Sequence, residues 1–131
     1  MGLFNGLFGK TNDETKKEAK QLPWKPLVSV DQLEEIAEKS NTRTQLIFKH
    51  STTCGISRMV LNTFKANYDF TKDLFDLYYL DLHSNREVSN ETSNKFEVMH
   101  QSPQLLVIRD GIVVAHSSHG GINDINLAEY Q

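Results

Sequence analysis

The chain has 131 residues, 38% hydrophobic and 24% charged, with a net charge of -3 and one cysteine. That length holds one domain with room for a real core, and the charge balance lacks the basic face expected of a nucleic-acid binder. No run approaches the ~18 apolar residues of a membrane span, no secretory signal stands at the start, and a lone cysteine closes no internal disulfide, which points to a reducing, cytoplasmic setting.

Residues 1–20 read as a flexible leader and residues 21–131 as one domain. The leader opens with two glycine-spaced Leu-Phe pairs, Leu3-Phe4 and Leu7-Phe8. They form a loose tail, dock on the domain or dip weakly into a membrane surface, without stable insertion. Gly6 stands where an N-myristoyl signal needs Ser or Thr. Thr11 to Lys20 is a solvated charged run, and Leu22-Pro23-Trp24-Lys25-Pro26 breaks it, with Trp24 expected against the domain edge.

Leu27 to Val30 reads as a short first strand. Ser29 or Asp31 caps the next helix, whose apolar face is Leu33, Ile36 and Ala37. Thr44 to Phe48 is an uncharged strand, expected at the centre of a sheet. Ile56, Met59, Val60, Thr63, Phe64 and Tyr68 then recur at helical spacing and predict one buried stripe. Phe75 to Leu82 is a third strand, and Arg86 to Val98 a surface helix turning Phe96 and Val98 inward. Gln104–Arg109 and Ile112–His116 flank Asp110-Gly111, a hairpin signal. After Gly120-Gly121, Asn123 or Asp124 caps a last short helix containing Ile125, Leu127 and Ala128. Two βαβ units followed by a hairpin predict an α/β fold, a mixed central sheet with helices on both faces.

The chemistry gathers between the second strand and the helix after it. Cys54 stands at that junction, off the predicted stripe, beside the unpaired N–H groups of a helix start. Helix N-termini favour thiolates, and the thiolate is the nucleophile; the alternative is a buried cysteine acting as a small hydrophobe. Ser57 and Arg58 lie one turn on, on the side of Cys54. Ser57 either donates to the thiolate or is a tolerated small polar residue. Arg58 stabilises the thiolate or holds a carboxylate of an incoming thiol, unless it is a solvated helix arginine. Lys49 and His50 close the strand within reach of the site and raise its positive potential, unless they are plain loop residues. His116 and His119, three apart in a strand, point to opposite faces. With no acidic cluster beside them, no metal site is expected. His119 is still able to approach the thiol from the hairpin side. A thiol after the second strand and a proline at the mouth of the hairpin match the thioredoxin fold.

Four segments carry a more specific likeness. They are Phe48-Lys49-His50-Ser51-Thr52-Thr53-Cys54-Gly55-Ile56-Ser57, Tyr78-Tyr79-Leu80-Asp81, His100-Gln101-Ser102-Pro103-Gln104 and Ser118-His119. With them the chain resembles, over roughly residues 22 to 125, the YtxJ-type monothiol bacilliredoxins, thioredoxin-fold proteins of the bacillithiol system. It departs at Gly55, where the family more often has Pro, and at Gly120, where an aromatic residue is frequent.

The resemblance implies that Cys54 removes bacillithiol from mixed disulfides on client proteins, with bacillithiol as co-substrate and no tightly bound cofactor. Ser57 takes the place of the second cysteine of a Cys-x-x-Cys pair, so an external thiol must reset the site. The resemblance also makes Ser102-Pro103 cis and opposite the cysteine, leaving the Ser102 backbone free to pair with a substrate chain. Gly120 and Gly121 resemble the turn by which glutaredoxins hold a carboxylate, or form a simple helix entry. Two other functions stay open. Cys54-Gly55-Ile56-Ser57 is close to the Cys-Gly-Phe-Ser of monothiol glutaredoxins that bridge a [2Fe–2S] cluster. The third is a thioredoxin-like binding module with an inert cysteine.

Overall fold

The computed structural model describes residues 22–71 and 73–131. The leader expected over residues 1–20 lies outside the described residues. Five strands form one sheet in the order β1-β3-β2-β4-β5. They are β1 (Trp24–Pro26), β2 (Thr44–His50), β3 (Phe75–Asp81), β4 (Gln104–Arg109) and β5 (Ile112–Ser118). Three helices connect them: α1 (Asp31–Lys39), α2 (Gly55–Asn67) and α3 (Arg86–Phe96). β1, β3 and β2 are parallel, and β4 and β5 are antiparallel to their neighbours. The mixed sheet and its central second strand are therefore as expected.

Apolar side chains alternate between two layers, as strand geometry requires. Leu46, Phe48, Leu77, Leu105 and Val107 pack with Val60, Leu61, Phe64 and Tyr68 of α2 and with Ile122 and Leu127 near the C-terminus. Ile47, Tyr78, Leu80, Leu106 and Ile108 pack with Leu33 and Ile36 of α1 and Val88 and Phe96 of α3. Helices thus cover both faces.

The first strand differs from the expectation. Trp24 to Pro26 pair with Leu77 to Tyr79, whereas Leu27–Val30 lies beyond the strand. An edge strand tolerates Pro26, which has no N–H to give. Trp24, on that edge strand, is partly buried and packs against the core from the domain edge, as expected, its ring about 6 Å from those of Phe48, Phe64 and Tyr79 (6.1, 6.0 and 5.9 Å). Neither Ser29 nor Asp31 caps α1 with its side chain. Gln32 reaches back instead, its Oε1 accepting the Val28 and Ser29 N–H groups at 2.7 and 3.0 Å, just ahead of the N-cap Val30.

α2 is turned from the expected face. Ser57, Val60, Leu61, Phe64 and Tyr68 are buried, while Ile56 and Met59 are 58% and 66% exposed. Both sets have helical spacing, so periodicity alone admits either. The hairpin turn is as expected, with Asp110 and Gly111 at φ 52° and 81°, the pair of positive values a tight hairpin requires. The C-terminal helix is instead two 3-10 segments, His119–Asp124 and Leu127–Tyr130. Asn126, not Asn123 or Asp124, caps the second, its side chain accepting from the Ala128 N–H at 3.3 Å.

Candidate active site

The strand registers bring several loops to one end of the sheet. His50 pairs with Asp81, Lys49 with Gln104, and Gln104 with Ser118. The loop to Cys54, the turn after Asp81, the Ser102-Pro103 segment and the turn at His119 therefore leave the sheet side by side. Cys54 is the N-cap of α2, partly exposed, with extended backbone at φ -106° and ψ 122°. Its carbonyl accepts the Arg58 N–H at 3.1 Å and its own N–H donates to Ser51 O at 3.2 Å. The first turn of α2 carries no acidic residue, so nothing there opposes an anion at a helix start that favours one. Arg58 folds back over the loop, its Nη1 donating to Thr52 O at 3.4 Å and its Nη2 standing 4.0 Å from where a Cβ on Gly55 would lie.

Ser57 and His50 are buried beneath the cysteine loop. Ser57 Oγ accepts the Ser51 N–H at 3.1 Å and lies 2.8 Å from His50 Nδ1. The His50 ring also packs on Tyr79 at 5.5 Å. Burial, which outweighs the pull of Asp81 and is helped by Arg58 and Lys65, holds the imidazole below its ordinary value. A histidine so placed is neutral near pH 7 and adds no positive charge to the thiol's surroundings. It orders the loop instead.

Lys49 is not at the site. Alternation along β2 turns it to the opposite face from His50, where it is fully buried. Its Nζ donates to Ser89 O and Ser93 Oγ at 3.3 and 3.0 Å and lies 3.2 Å from His100 Nδ1. Burial pushes its pKa down to about 8.

The Ser102-Pro103 bond is cis. Pro103 is buried, and its carbonyl accepts the His119 N–H at 3.1 Å. That bond ties His119, exposed and at φ 55°, to the proline segment. Gly121 has a steric role: a Cβ there would lie 2.4 Å from Ser117 Oγ. Gly120 has open space around its Cβ position. Both sit in a six-residue 3-10 segment whose N-cap, Ser118, makes no side-chain bond. His116 pairs with Leu106 on β5, and no group of three potential metal ligands occurs among the described residues.

One neighbour of the thiol loop was not foreseen. His83 Nε2 lies 2.8 Å from Ser51 Oγ and 3.1 Å from Thr53 Oγ1, fastening the loop before Cys54 to the turn after β3. Its signal was positional: it follows the carboxyl end of a parallel strand beside β2, where α/β sheets gather their sites.

These elements hold a partly exposed thiol at a helix start, with a serine one turn on and no second cysteine in the chain. Such a thiol is placed for exchange with a disulfide and lacks an internal resolving partner. Among solved structures, a candidate oxidoreductase with a thioredoxin fold is 32% identical, with a TM-score of 0.68, over 81% of this chain and 91% of that one. Thioredoxins from Malassezia sympodialis and Fasciola hepatica match at 17% and 20% identity, with TM-scores of 0.63 and 0.60. Each covers 81% of this chain, and 87% and 94% of their own lengths match; these two speak for the thioredoxin fold alone. The family model for the monothiol bacilliredoxin BrxC matches residues 25–127, nearly the whole described domain and the site with it. The chain belongs to the monothiol bacilliredoxin family.

Proposed function

We propose that this protein is a YtxJ-type bacilliredoxin that removes bacillithiol from mixed disulfides on cytoplasmic client proteins. The observation that carries the reading is the lone Cys54 at the start of α2, with a buried serine in the place of a resolving cysteine. The Cys54 thiolate attacks the bacillithiol sulfur. A new disulfide forms between Cys54 and bacillithiol, the old one breaks, and the client leaves as a thiolate that takes a proton from solvent. A second small thiol then attacks the adduct, leaving as the small-molecule disulfide and returning Cys54 to its thiolate. Overall the disulfide moves from the client to the two small thiols: the client sulfur is reduced to a thiol while the sulfur of the second small thiol is oxidised into the new disulfide. No resident cofactor takes part, because the co-substrate supplies the sulfur.

Arg58, held over the cysteine loop by its bond to Thr52 O, pairs with a carboxylate of the incoming thiol. The cis segment at Ser102 offers its backbone to the client chain. The test is mass spectrometry of a bacillithiol-modified client incubated with the protein and a reducing thiol. The wild type removes the adduct and Cys54→Ser does not; retained activity in that variant overturns the proposal.

A further inference from the structure

Lys49 is the only fully buried Lys, Arg, Asp or Glu among the described residues, and the exchange reaction gives it no task. It has no carboxylate partner there, so its burial is costly. What it gains is directional. The three N–H groups of an ammonium meet three acceptors: Ser89 O at 3.3 Å, Ser93 Oγ at 3.0 Å and His100 Nδ1 at 3.2 Å. The first two belong to α3. The third belongs to the segment that leads from α3 to Ser102-Pro103.

Gln104 stands opposite Lys49 on β4 and is likewise buried. Its amide grips the same segment twice, Nε2 donating to Met99 O at 3.0 Å and Oε1 accepting the Gln101 N–H at 3.4 Å. That segment needs a tether. Met99 is 79% exposed, His100 is exposed, and no strand or helix includes residues 99–103. A methionine would fill the slot of Lys49 without the cost of a buried charge, but it would hold nothing above it.

We propose that Lys49 is a positioning residue for thiol exchange: with Gln104 it anchors the 99–103 segment through His100 and so sets how Ser102 meets a client chain. The inference rests on reading Cys54 as the exchange site, and it assigns the buried polar pair beneath the proline segment to client binding rather than to the chemistry of the thiol.

The test compares wild type, Lys49→Met, His100→Leu and His100→Asn, the last offering a side-chain oxygen near the place of Nδ1. KM and kcat are measured on a bacillithiol-modified protein, and iodoacetamide alkylation reports the intrinsic reactivity of Cys54. Lys49→Met and His100→Leu should raise KM roughly three- to tenfold, the scale of one hydrogen bond, with kcat and alkylation within about twofold of wild type. His100→Asn should recover most of the KM. Unchanged KM in both losing variants overturns the inference, as does a fall confined to kcat and alkylation. If Lys49→Met fails to fold, His100→Leu, altered at an exposed position, decides. If the wild type does not act on the modified protein, the proposed function fails separately. Hydrogen exchange at the amides of residues 99–102 then decides the tether, faster exchange in the variants supporting it and unchanged exchange overturning it.

Discussion

Ser57 Oγ lies 2.8 Å from Nδ1 of His50, and the same oxygen accepts the Ser51 N–H. The hydroxyl that stands in the place of a second cysteine is therefore committed to the core beneath the loop. Ser57 is fully buried, so Ser57→Ala leaves the Ser51 N–H and His50 Nδ1 without that partner. The expected cost is about 1–3 kcal/mol of stability, the range for an orphaned buried polar group. Alkylation of Cys54 should stay within about twofold. Urea unfolding with parallel alkylation rates checks this; unchanged stability with a tenfold slower thiol would mean that the hydroxyl serves the sulfur.

Gly55 is the first residue of α2, and an added Cβ would meet only Arg58 Nη2, at an ordinary 4.0 Å. Its φ is not in the left-handed region, so nothing in the backbone demands glycine. Gly55→Ala should raise stability by about 0.4–1 kcal/mol, by restricting the unfolded chain. Gly55→Pro should stabilise similarly, since proline suits a first helical position, but it removes an N–H that α2 itself leaves unpaired. Slower alkylation in the proline variant than in the alanine variant would show that this donor supports the thiolate. Equal rates would show that it does not.

The hairpin and the cysteine junction were legible because each rests on local chemistry. Asp110-Gly111 supplies two positive φ values, and Cys54 stands where an apolar strand meets a periodic helix. What escaped depends on tertiary choice. Ile56 outranks Ser57 in hydrophobicity, yet Ser57 is inward because His50 and the Ser51 N–H offer it partners there. Lys49 was misplaced because the strand continues two residues past Phe48, and one further alternation decides which layer a side chain enters. His83 touches Ser51 across 32 positions of sequence, a separation that no local pattern reports. β1 lies ahead of the apolar run Leu27–Val30, with Pro23 before it and Pro26 as its last residue, a composition that only a sheet edge tolerates.

Gly121 separates packing from ligand binding. The Cβ of Gly121→Ala would lie 2.4 Å from Ser117 Oγ and 3.7 Å from Ser117 Cβ. The clash is with a hydroxyl that can rotate, so the expected loss is about 0.5–1.5 kcal/mol, the cost of an off-rotamer side chain. Adding Ser117→Ala removes the clashing atom and should restore most of that loss, a coupling read by a double-mutant cycle. Thermal unfolding measures the stability term and KM for the modified client measures the other. If KM stays raised in the double variant, the turn contacts substrate as well as packing on β5.

The charge state of Lys49 gives a pH signature. Burial lowers its pKa from 10.5 to about 8, so between those values the unfolded chain holds more protons than the folded one. Stability attributable to this group is present at high pH and lost as pH falls through about 8. Tyr68 and Tyr78 have the opposite sign. Burial, with Asp76 and for Tyr78 also Glu35, raises both from 10.0 to about 12, so their contribution is full below the unfolded value and lost as pH rises through the folded one. Tyr79 is raised in the same sense, by burial and Asp81. The window in which Lys49 acts before the tyrosines is therefore about pH 8 to 9.5. Across it, wild type should gain on the order of 1 kcal/mol relative to Lys49→Met, measured by urea unfolding at several pH values. Parallel curves for the two proteins would mean that the folded state does not bury the ammonium. A difference that rises across this window and is flat below about pH 7 would place the folded pKa near 8, so that the tether beneath the proline segment is charged at neutral pH, the state in which all three of its N–H groups have acceptors.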